Sequence, residues 1–240
     1  MRGARLWCTL AAAVALLETT GSAPQSRAVP QARDPIGIAW LIFVDDLHTD
    51  FRNTGYLRNL LKAIASDLVR PGDLVAVRST GPSSLSIDLT SDRSRLEAAI
   101  GKASGSGLKM SEILATPARD RARGLDEIAY RLKITLDAAS AMISEISQAG
   151  NRPKGLLYIS NGYTGETSAE LSAFARAARR ANVTVFALDP RGLPGSPHAK
   201  ERSAASQSSL RAIAEPTRGF ALINDKDFED GMTRIRRAMR

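Results

Sequence analysis

The chain has 240 residues, 43% of them hydrophobic and 24% charged. That balance suits a globular protein, and the length suits one α/β domain with appendages. An aromatic share of 5% leaves few rings for a carbohydrate- or RNA-stacking surface. The net charge of +8 is carried mainly by arginine, with clusters at Arg119, Arg121 and Arg123 and at Arg234, Arg236, Arg237 and Arg240. Such clusters suit an anionic lipid or polymer, or simply a solvated surface.

Residues 1–23 have the layout of an export signal. Arg2 and Arg5 precede an apolar stretch from Leu6 to Leu17, and small residues follow in TTGSA. The stretch is too short to span a bilayer comfortably. Cuts near Ser22, Ala23 and Ala28 are all compatible with it. Cys8 lies inside this segment and is the chain's single cysteine, so the mature protein is expected to be free of disulfides. A secreted or periplasmic location follows, with no stable membrane span after cleavage. Residues 24–35 read as a polar, proline-containing linker, and 36–240 as one domain.

Within that domain, 36–44 is an almost unbroken apolar run, the pattern of a strand buried on both faces of a parallel sheet. It runs directly into Asp45, Asp46, His48 and Thr49. Leu57, Leu60, Leu61, Ile64 and Leu68 then recur at helical spacing, and Pro71-Gly72 ends that helix. A second strand is predicted over 73–80. In 84–90, Leu85, Ile87 and Leu89 alternate with polar residues, which predicts a strand with one wet face. The short link before it permits only a hairpin, so this strand is antiparallel and belongs at a sheet edge. A short helix over 92–102 follows, then an irregular stretch over 103–123. A long helix over 124–148 carries a buried stripe of Leu125, Ile128, Leu132, Leu136, Ala139, Ile143 and Ile146. Strands over 155–160, 183–189 and 219–223 alternate with helices over 167–180, 203–214 and 226–238. The expected fold is a doubly wound, mostly parallel sheet with one antiparallel edge strand.

In such sheets ligands sit outside the carboxyl ends of the strands. Three loops end strands there with polar residues: 45–50, 160–167 and 189–195. The expected ligand-binding residues are Asp45, Asp46, His48, Thr49, Ser160, Asn161, Asp189 and Arg191. No P-loop, G-x-G-x-x-G after the first strand, or H-E-x-x-H occurs, and no Ser-His-Asp order stands out. An enzyme is therefore not expected, and a metal-dependent hydrolase built on Asp45 and Asp46 is the weakest reading. Carboxylate and hydroxyl oxygens do suit a hard divalent cation.

The element order and the residues DDLHT (45–49) resemble the von Willebrand factor type A domain. In that family D-x-S-x-S after the first strand opens a metal-ion-dependent adhesion site. A later threonine and an aspartate after the fourth strand complete it. The resemblance places Asp45 at the leading aspartate, Thr49 at the second hydroxyl and Leu47 at the first serine. SNG (160–162) stands where the family has T-D-G, so Asn161 replaces an aspartate. Thr116 is the nearest candidate for the later threonine. ALDPRGL (187–193) and RGFALIND (218–225) are similar to a bacterial branch of exported proteins common in acidobacteria. The resemblance implies a protein-binding module with a degenerate metal site, in which Asp45, Thr49 and Asn161 would hold Mg²⁺ or Mn²⁺ weakly. It implies a protein partner and no nucleic acid. The alternative is a basic surface that binds anionic lipid or polymer.

Overall fold

The computed structural model describes residues 37–81, 83–105, 121–146, 149–164, 168–196 and 203–240. The expected export signal and linker, with Thr116, Arg119 and His198, lie outside the described residues, as do the side chains of Arg121, Arg123 and Leu125.

The apolar run becomes β1, Ala39–Val44, and every residue of it is buried. The reason is its central place in a six-stranded sheet. Strand β2 (Leu74–Ser79) lies parallel on one side and β4 (Lys154–Ile159) parallel on the other. Trp40, Ile42 and Val44 enter one apolar cluster, while Ala39, Leu41 and Phe43 enter the cluster on the opposite face. A strand covered on both faces has no place for a polar residue.

The sheet order is β3-β2-β1-β4-β5-β6. Strand β5 (Val183–Leu188) pairs parallel with β4, and β6 (Ala221–Leu222) pairs parallel with β5. Strand β3 (Ser86–Thr90) is the antiparallel edge strand. Helices α1 (Thr54–Ala63) and α2 (Arg93–Ile100) cover one face, joined there by Ile235 of the carboxy-terminal helix. Helices α3 (Arg121–Ile146), α4 (Ser168–Arg180) and Ile213 of α5 (Ala204–Ala214) cover the other. The chain moves outward from β1 to β2 and β3, then returns to the other side through β4. The switch point therefore lies between β1 and β4.

Three local expectations shift. The helix predicted over 226–238 is two helices, α6 (Asp225–Glu229) and α7 (Gly231–Ala238), separated at Asp230. Asn224 and Asp227 close a capping box on α6. Gly231 packs so closely on Leu222 that a Cβ would lie 2.6 Å from its Cδ1. The strand predicted over 219–223 shortens to two residues.

The third shift is in β3. Register pairs Val77 with Ile87 but Val75 with Thr90, so Asp88 and Leu89 both oppose Ala76. This is a β-bulge, and the extra residue breaks the alternation. Leu85 and Ile87 are buried among the α1–α2 cluster as expected, whereas Leu89 is 37% exposed and faces the α3 side.

The base of the sheet is tied to α7. Asp73 accepts hydrogen bonds from the backbone N–H groups of Ile38 and Arg70, from Trp40 Nε1 and from Arg236 Nη1. Burial pushes its pKa up, but these bonds outweigh it and hold the carboxyl below the usual carboxylate range. Arg236 also donates to the Leu68 carbonyl. Part of the carboxy-terminal basic cluster is thus internal scaffolding. Among the described residues no helix is long and apolar enough to cross a membrane.

Gly219 leads into β6, and a Cβ there would lie 1.7 Å from the Val185 carbonyl oxygen. Gly219→Ala must push β6 away from β5. It is expected to cost about 3 kcal/mol, the upper end of ordinary overpacking. Chemical denaturation checks this, and an unchanged midpoint would show that the strand yields freely.

Candidate functional site

The eight expected residues all sit where the parallel strands finish. They separate into three groups with different tasks. Asp45 leaves β1 beside β4 and is fully buried. Its Oδ2 accepts from Ser160 Oγ at 2.7 Å and from Tyr163 Oη at 2.8 Å. Its Oδ1 accepts from His48 N at 3.2 Å, lies 2.9 Å from His48 Nδ1, and takes a long contact of 3.4 Å from Thr135 Oγ1 on α3. With its hydrogen on Nδ1, the imidazole donates to the carboxylate. Burial pushes the Asp45 pKa up. The charge of His48 and the hydrogen bonds from His48, Ser160 and Tyr163 outweigh burial and hold the carboxyl below its usual range. The Tyr163 and Tyr158 hydroxyls are in contact with one another. Burial, then the charge of Asp45, pushes both phenols well above their ordinary pKa. Both therefore stay protonated, with Tyr158 donating to Tyr163 and Tyr163 to Asp45. The His48 ring stands edge-on to Tyr163, with centroids 4.7 Å apart. Asp45 thus joins β1 to β4 across the switch point.

Asp46, also fully buried, turns the other way. It accepts from Thr80 Oγ1 at 2.7 Å and from Ser83 N at 2.9 Å. Its work is to hold the β2–β3 turn against the end of β1. Asp46 therefore does not share a hollow with Asp45.

Asp189 and Arg191 form the third group. Arg191 Nε and Nη2 meet the Asp189 carboxylate at 2.9 and 2.7 Å, and Nη2 also donates to the Asn161 carbonyl at 2.5 Å. Asp189 is fully buried and Arg191 is 7% exposed. Arg191 thus pins the β5 loop to the β4 loop. A further link runs from Tyr56 Oη on α1 to the Gly195 carbonyl at 2.9 Å.

Two oxygens in the expected metal set are buried without a hydrogen-bond partner: Thr49 Oγ1 and Asn161 Oδ1. They are neutral, and a hard cation depends on ligand charge. The carboxylate that should lead the site has its lone pairs taken by protein donors, since a carboxylate offers about four acceptor positions. Asp46 is spent on Thr80 and Ser83, and Asp189 already holds a guanidinium. Among the described residues no three His, Cys, Asp or Glu side chains gather so as to hold a metal ion. Among the described residues, the donor set does not fit Mg²⁺ or Mn²⁺.

Sequence reasoning missed Tyr163, Tyr158 and Thr135. Thr135 carried a signal, because it is a polar residue beside Leu132 and Leu136 on the buried face of α3. Tyr163 follows SNG in a loop already singled out. Nothing in the pattern marked Tyr158, which reads as an ordinary residue of a buried strand.

No family model and no curated protein matches the chain. A solved structure described as von Willebrand factor type A from Catenulispora acidiphila is similar over 85% of this chain and 43% of its own, at 17% identity and a TM-score of 0.52. The sheet order, the antiparallel β3 edge and this similarity define a von Willebrand factor type A fold. The chain spans less than half the length of that relative. The VWA domain of SpRpn10 has 13% identity and a TM-score of 0.36, over 74% of this chain and 82% of its own. The TFIIH p34 N-terminal domain has 16% identity and a TM-score of 0.41, over 84% and 97%. At those scores neither adds to the fold assignment.

Proposed function

We propose that this protein is an exported interaction module, without catalytic activity, that docks another protein on the rim formed by loops 45–53, 160–164 and 189–196, and does so without a divalent cation. The observation that carries the proposal is the way the loops are fastened. Asp45 links the β1 and β4 loops, Arg191 links the β4 and β5 loops, and Tyr56 links α1 to the β5 loop. The ionisable groups are spent on one another, which suits a rigid surface better than a reacting centre. On that surface Phe51 is 70% exposed, beside the bidentate Asp50–Arg52 pair. A large ring on a pre-formed frame is the usual form of a binding hot spot, since little entropy is lost when it is covered. Export is supported by the 1–23 pattern and by the resemblance of ALDPRGL and RGFALIND to exported bacterial domains.

The test uses a photo-crosslinking residue in place of Phe51 in the producing cells, and the same residue in place of Tyr130 on α3 as a control. A discrete protein adduct is expected at position 51 and none at position 130. The captured protein, once purified, should bind with an affinity that Phe51→Ala weakens by about 2 kcal/mol, roughly 30-fold, and that EDTA leaves unchanged. Binding that survives Phe51→Ala, or that needs Mg²⁺, overturns the proposal.

A further inference from the structure

The β3 edge, away from the rim, carries a second binding feature. Among the described residues β3 pairs with β2 alone, so its outer N–H and C=O groups face no strand. Exposed edges of this kind take up extended segments of other chains. The bulge that displaces Leu89 puts it over a cleft of about 190 Å³ between the sheet edge and α3. Leu41, Ala76, Leu89 and Ile146 line the cleft, with Asp88 and Glu145 among the lining as its acidic members. It has the size of one large apolar side chain.

The charge at this cleft runs against that of the whole chain. Asp88 is 83% exposed and Glu145 60% exposed, and both share one guanidinium, that of Arg78, at 2.8 and 3.3 Å. Among the described residues, two carboxylates against one cation leave the cleft acidic in a protein of net charge +8. A bulge and a charge also guard an edge against its own kind. In a second copy paired antiparallel about Asp88, the two Asp88 carboxylates would face each other, which is unfavourable. A cationic segment meets no such penalty.

We propose that this edge receives an extended segment of another protein, with one large apolar side chain in the cleft beside Leu89 and a lysine or arginine next to it on Asp88 and Glu145. Backbone bonds to β3 would supply affinity, while the cleft and the two carboxylates would supply selection.

The test is selection of a phage-displayed random ten-residue library on the immobilised protein, followed by anisotropy with the enriched peptides. The expected result is a consensus pairing a large apolar residue with Lys or Arg. Binding should weaken at least tenfold with Asp88→Lys and with Leu89→Glu, and be unchanged by Phe51→Ala at the rim. Both substitutions are at exposed positions, and unfolding midpoints near that of the parent protein confirm that the variants fold. Exchanging the peptide's cation for glutamate should restore binding to Asp88→Lys. No enrichment, a consensus without a cation, or peptides that bind both variants as well as the parent each overturn the proposal. Loss of binding through Phe51→Ala would assign the peptides to the rim and overturn it equally.

Discussion

Asp45→Ala is expected to destabilise the fold by about 3–5 kcal/mol, because several buried donors lose their acceptor at about 1–3 kcal/mol each. The alanine leaves the Tyr163, Ser160 and His48 donors facing a void, and stranded buried donors cost more than the bonds themselves contribute. Asp45→Asn keeps the shape and loses the charge, so its cost should be smaller, about 1–3 kcal/mol. Urea unfolding at neutral pH measures both. The dependence on acid follows from the direction of the pKa shift. The folded carboxyl titrates below its usual range, so its contribution is fully present above the unfolded value, about 3.9. It is lost as pH falls through the lower folded value. The parent and Asp45→Asn should therefore converge in stability as the pH is taken below about 4. A difference that stays constant from pH 7 to pH 3 would show that Asp45 is not ionised where it lies.

How much of this was legible in the sequence depends on the distance over which each contact acts. The run 36–44 could be placed because burial on both faces leaves its mark on every consecutive residue. The rim could be located because polar residues at the ends of buried strands break that mark. What those residues do there was not legible. Tyr163 reaches Asp45 from 118 positions away and Thr135 from 90. No local pattern distinguishes a carboxylate waiting for a cation from one already surrounded by hydroxyls. Asp46 illustrates the same point, since its partners lie at Thr80, read as the end of the second strand, and Ser83, read only as part of a hairpin link. Leu89 failed for a different reason. A bulge is one residue too many in the pairing, and the surplus shows only against the partner strand. Asp45, Thr49 and Asn161, the residues matched by the resemblance to the adhesion-site motif, lie at one edge of the sheet. The cation it implied does not suit the donors found there.

Arg191→Met should cost about 3–5 kcal/mol, because it removes the guanidinium from a carboxylate with no exposure to solvent. Asp189 would keep the backbone N–H of residue 191, which it now accepts at 3.0 Å, and that alone does not balance a buried charge. The double variant Asp189→Asn/Arg191→Met is expected to recover part of the loss, with a coupling energy of about 1–3 kcal/mol, since an amide carries no charge to strand. The same pair separates two roles for Arg191. If it pins the β4 and β5 loops through the Asn161 carbonyl, rim binding should weaken in both the single and the double variant while the double is the more stable. If it only neutralises Asp189, rim binding should return in the double variant along with stability. The guanidinium's 2.5 Å bond to Asn161 favours pinning, because a cation present for neutralisation alone has no need of a carbonyl on another loop.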